Sequence, residues 1–136
     1  MVRANYPDAP RVRAVRGATT VACDEIALVH DAVRELLTAL TSHNDILTSE
    51  IVSAVFTATP DIRCAFPASA ARELGWTDIP MLCATEIDVP DAQPRCLRVM
   101  LHVERQPEHP RLVPVYLREA VSLRPDLATA SSPLAR

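Results

Sequence analysis

The stretch PRCLRVMLHVE, residues 94–104, constrains the fold more than any other part of the chain. It alternates with a period of two. Leu97, Val99, Leu101 and Val103 point one way, and Cys96, Arg98, Met100 and His102 point the other. The first face is wholly apolar and demands a packed layer against it. The second is half-apolar and carries a guanidinium in mid-strand, so it meets solvent or lines a cavity that favours a positive charge. A sheet with one covered face and one open face is the expected frame.

Helical periodicity marks one long, two-sided helix. In DEIALVHDAVRELLTAL, residues 24–40, Ile26, Val29, Val33, Leu36, Leu37 and Leu40 recur at helical spacing, with acids expected in the first turn. RVRAVRGATTV, residues 11–21, reads as a strand ending at Gly17, and the β-branched EIVSAVFTAT before Pro60 as a buried strand. FPASAARELG has Pro67 early and Gly75 at its end, the punctuation of a short helix. IPMLCATEIDV is a third strand and PRCLRVMLHVE a fourth, with the turn-rich PDAQP predicting a hairpin between them. LVPVYLREAVSL holds a further short strand or helical turn. The result is a mixed α/β (α+β) domain over residues 11–127, with a loose extension at 1–10 and a frayed tail at 128–136.

Composition narrows the function classes. At 136 residues there is room for one core, and with two Gly and 4% aromatics it must be built mostly from Val, Leu, Ile and Ala. A net charge of −3 argues against a nucleic-acid partner, which needs a clustered basic surface. No apolar run is long enough to span a membrane. MVRANYPDAP lacks the apolar centre of a signal peptide, so a cytoplasmic protein is expected. Cys23, Cys64, Cys83 and Cys96 form no CxxC pair, and the histidines do not fall at ligand spacing, so reduced thiols and no metal site are expected. All fourteen basic residues are arginine. Any anion site must therefore be made of guanidinium groups, which grip carboxylates bidentately.

The sequence contains no GxSxG, no phosphate-cradling glycine loop and no HExxH. Its polar residues stand instead at isolated points: Arg16 before Gly17, Glu86 in CATEIDV, Arg98, Tyr116 in PVYL and Arg124 in LRPD. Across the predicted hairpin, Glu86 and Arg98 would share a cavity wall; the plainer reading is a structural pair closing one end of a sheet. Arg16 alone reads as a solvated strand end, Tyr116 as a core tyrosine with its hydroxyl at the surface, and Cys83 and Cys96 as small core residues.

Taken together, VRAVRGATTV, SAVFTATPDIRCAFPASAARELGW, IPMLCATEIDV, RCLRVMLHV and VYLREAVSLRPDL resemble, in order and spacing, the trimeric chorismate mutases of pseudo-α/β-barrel fold, not the all-helical type. The resemblance runs from about Arg13 to Leu127. It implies the rearrangement of chorismate to prephenate, on the way to phenylalanine and tyrosine, without cofactor, metal or covalent intermediate. It implies a homotrimer with a pocket between neighbouring subunits. On this basis Arg98 lies beside the ether oxygen, Arg16 pins a carboxylate or ring-side oxygen, Glu86 accepts a hydrogen bond from the ring hydroxyl, and Tyr116 contacts a carboxylate. Phe66, Ala68, Ser69, Arg72, Cys83, Leu123 and Arg124 fall at positions lining or flanking the pocket.

Three positions depart from the family pattern: Ser69 stands for a usual lysine, Leu82 for a frequent threonine, and PDAQP for a glycine-rich turn. Ser69 brings no charge, so a higher KM is expected. Two alternatives stay in view: a trimeric carboxylate-binding or imine-hydrolysing protein of similar barrel architecture, and an idle relative that regulates a partner enzyme.

Overall fold

The computed structural model describes residues 9–126. Five strands form one mixed sheet in the order β3-β2-β4-β1-β5, namely β1 (Arg11–Thr20), β2 (Ile51–Ala58), β3 (Met81–Thr85), β4 (Cys96–Arg105) and β5 (Val115–Tyr116). β4 runs antiparallel to both β1 and β2, whereas β3 is parallel to β2 and β5 parallel to β1. One long helix, α1 (Ile26–His43), and one short helix, α2 (Pro67–Glu73), accompany the sheet. Short 3-10 segments occupy Thr48–Glu50 and Arg118–Leu123. Of the expected loose extension at 1–10, residues 1–8 lie outside the described residues, as does the expected tail at 128–136.

β4 sits at the centre because its alternation suits that place. Leu97, Val99, Leu101 and Val103 are buried and pack with Val29, Val33, Leu36, Leu37 and Leu40 of α1 in one cluster. Cys96 is also buried, although it alternates onto the Arg98 face, and burial pushes its thiol up to about 11. Among the described residues no helix is long and apolar enough to cross a membrane, and no three His, Cys, Asp or Glu gather as a metal site.

Several expectations need correction. β1 does not end at Gly17 but continues to Thr20. The glycine is needed because α1 crosses there: a Cβ would stand 2.7 Å from Leu40 Cδ1 and 3.0 Å from Leu36 Cδ1. α1 starts at Ile26, after the acids, and Ile26 itself is exposed. Asp24 instead accepts the backbone N–H groups of Arg63 (3.0 Å) and Cys64 (3.2 Å), tying the approach to α2 to the start of α1. A hydrogen bond with the Cys64 thiol, then that of Arg63, holds the Asp24 carboxyl below its usual range.

The hairpin is absent. β3 and β4 are separated by β2, and β3 pairs in parallel with β2 after α2 has carried the chain back. Residues 79–89 contribute only Met81–Thr85 to the sheet, and β3 is left as an edge. Tyr116 is a core residue at 3% exposure, and it lines the concavity described below. Gly75 does end α2, with φ of +96°: its N–H donates to Arg72 O and that of Trp76 to Ala71 O, a two-bond cap.

Candidate active site

Sheet register assembles the site. Ala84, Thr57, Arg98, Ala18 and Tyr116 are successive partners across β3, β2, β4, β1 and β5, one transverse row over the whole sheet. Period-two alternation puts the row on the face opposite Phe56 and Val99, away from the helices. Glu86 lies two residues beyond Ala84 and Arg16 two before Ala18, so both join that face. The small side chain of Ala18, between Arg98 and Tyr116, leaves space above the sheet.

That space is a concavity of about 290 Å³ lined by Arg16, Thr57, Arg98, Tyr116, Leu123 and Arg124, among others. Arg98 Nε lies 2.7 Å from Glu86 Oε1, and the Thr57 hydroxyl donates to the same oxygen at 2.6 Å. Glu86 therefore braces the guanidinium from the side and is itself held by Thr57. The Arg98 side chain remains 45% exposed, leaving its other N–H donors open to the concavity. Arg16 is exposed, and its side chain has no hydrogen-bond or ion-pair partner among the described residues. Arg124 is bound to Asp126 by two contacts of 3.1 and 3.0 Å, which raise its pKa. The result is a cationic recess with an apolar floor, suited to an anion carrying a hydrocarbon ring.

The remaining predicted residues lie elsewhere. Cys83 is the register partner of Phe56, so it points to the helix side of the sheet. Cys83 and Phe66 line a different hollow beside α2. Ala68 is buried, and Ser69 accepts a hydrogen bond from Arg72 Nη2 at 3.3 Å on α2. Within one chain, Phe66, Ala68, Ser69, Arg72 and Cys83 are not brought to the Arg98 concavity. Thr57 was missed by sequence reasoning. Its signal was available, since EIVSAVFTAT alternates Ala54 and Phe56 inward against Val55 and Thr57 outward.

Comparison with known proteins bears on the family and the fold. Residues 12–127 match the sequence model of the family described as Chorismate mutase type I. The chain is 44% identical over 120 residues to Chorismate mutase AroH of Thermus thermophilus, covering 88% of this chain and 98% of that protein. It is 37% identical over 118 residues to Chorismate mutase AroH of Bacillus subtilis (strain 168), covering 86% and 93%. A solved chorismate mutase from Clostridium thermocellum superposes with a TM-score of 0.76 at 37% identity, covering 81% of this chain and 98% of that one. With a family match over nearly all of the described sheet and a solved relative of the same fold, the chain belongs to the type I chorismate mutases.

Proposed function

We propose that the Arg98 concavity is where this chorismate mutase rearranges its substrate, with Arg98 as the catalytic group. The reaction is intramolecular: the ether C–O bond breaks as a new C–C bond forms, and no atom is gained or lost. The protein's task is to hold a flexible dianion in its reactive shape and to stabilise negative charge growing on the ether oxygen. The observation that carries this reading is the Arg98–Glu86–Thr57 chain, which fixes a guanidinium in place before substrate arrives. A donor positioned in advance does not reorganise during the reaction, and one such donor supplies roughly 3–4 kcal/mol. Glu86 has a further role, accepting a hydrogen bond from the ring hydroxyl with its second oxygen. Arg16, without a protein partner among the described residues, takes a carboxylate or ring-side oxygen. The Tyr116 hydroxyl contacts a carboxylate, while Leu123 and Arg124 close the rim.

Phe66, Ala68, Ser69, Arg72 and Cys83 belong to the same reading if a neighbouring subunit presents them to this concavity, as in a homotrimer. Two observations support that assembly. These residues sit on the opposite side of the subunit from Arg98, and large apolar side chains are exposed near them: Phe66 at 69%, Leu82 at 71% and Ile87 at 86%. Such surface is common where another protein surface packs.

The test is loss of chorismate's ultraviolet absorbance in the presence of purified protein. Arg98→Ala should lower kcat by about 10²–10³-fold with a much smaller effect on KM. An equal kcat for the variant would remove Arg98 from the mechanism.

A further inference from the structure

A larger recess lies near the opposite end of the sheet. It encloses about 490 Å³ and is lined by Arg11 and Arg13 of β1, Arg105 at the end of β4, and His109 and Arg111 of the loop leading to β5. The β1–β4 register sets Arg11 against Arg105 and Arg13 against Val103. Alternation places Arg11, Arg13 and Arg105 on the helix side, just past the last turn of α1. Arg16, by contrast, projects from the other face and lies three residues further along, roughly 10 Å away. The recess is therefore separate from the Arg98 concavity.

Its charge is poorly balanced. No carboxylate lines it. Arg11, Arg13 and Arg111 have no hydrogen-bond or ion-pair partner among the described residues, and the only carboxylate near Arg105 is Glu50, at 3.6 Å. Arg105 is 5% exposed, and its Nη groups donate to the carbonyl oxygens of Asn44 and Asp45 beyond α1. Its Nε is buried with no acceptor. A buried donor normally has a partner, because leaving one unsatisfied costs roughly 1–3 kcal/mol.

We propose that this recess binds a small, multiply charged oxyanion, the chemistry shared by phosphate esters and polycarboxylates. Arg11, Arg13 and Arg111 hold the charge, and Arg105 Nε is the buried donor. Guanidinium groups converging on a cavity suit such a ligand because each offers paired N–H donors to two oxygens.

The test is calorimetric titration of the full chain with pyrophosphate and, separately, citrate, with ionic strength held constant by sodium chloride. Saturable binding of one ligand per chain is expected. The double variant Arg13→Gln, Arg111→Gln should weaken it at least ~10-fold, while Arg98→Gln leaves it unchanged. Retained mutase activity shows the double variant to be folded; if it is not, Arg111→Gln alone, a loop change, carries the test. Tighter pyrophosphate supports a phosphate-bearing ligand, and tighter citrate a polycarboxylate. Heats that do not saturate at constant ionic strength overturn the proposal. Binding that survives in the double variant, or is lost with Arg98→Gln, overturns it too, since the substrate concavity would then be the binding site.

Discussion

Thr57 shows how much a single hydroxyl decides at this site. It donates to the Glu86 oxygen that receives Arg98, so it fixes the carboxylate from the β2 side while Arg98 meets it from β4. Thr57→Val keeps the shape and the strand propensity but removes that donor. A hydrogen bond to a charged group is worth about 1.5–3 kcal/mol, and partial solvent access discounts the figure here. kcat/KM for chorismate is expected to fall roughly 10-fold, mostly through kcat, with the melting temperature little changed. A fall in KM-related binding alone would show that Thr57 contacts substrate instead of positioning Glu86. Arg98 and Glu86 were legible from their odd placement in apolar strands. Their pairing was legible too, but by a hairpin that is absent: the contact is made across β2, with Thr57 between them.

At the scale of elements, the approach of α1 to β1 is set by Gly17. A methyl group there meets two leucine methyl groups, Leu40 Cδ1 at 2.7 Å and Leu36 Cδ1 at 3.0 Å, both in the buried core. Gly17→Ala should therefore destabilise the fold by about 1–3 kcal/mol, measured as a lower denaturant midpoint with an unchanged slope. Arg16 and Ala18 flank this glycine on the site face, so activity should drop with it. No loss of stability would mean that the leucines rotate aside freely. The sequence placed α1, α2, β2 and β4 within a few residues, because their periodicities and the Pro67 and Gly75 stops are local signals. It misjudged Gly17, whose function is a contact with a helix well along the chain.

The whole molecule raises the question of completeness. One chain carries a cationic row on one face of its sheet and the remaining family-matched residues on the other. An edge strand with Leu82 at 71% exposure leads from one to the other. The homotrimer proposed above would bring the two halves together at each subunit boundary. Leu82→Arg places a charge on that edge; under the proposed trimeric assembly it is expected to lower the sedimentation mass to that of a monomer and to abolish turnover with it. A fully active monomer would show that the Arg98 concavity suffices alone.

Period-two and helical alternation, breaker residues and the isolated arginines determined by themselves that this chain forms a mixed α/β domain with one long helix, and that the β4 strand has one apolar core face with Arg98 on the other. Those signals are local, carried by side chains within a turn or a strand of one another. Only the tertiary structure decided that β2 lies between β3 and β4, that Ala18 leaves the opening beside Arg98, and that Arg11, Arg13, Arg105 and Arg111 converge. Strand order and register depend on how far-separated segments bury their apolar faces together, and that balance is struck over the whole chain.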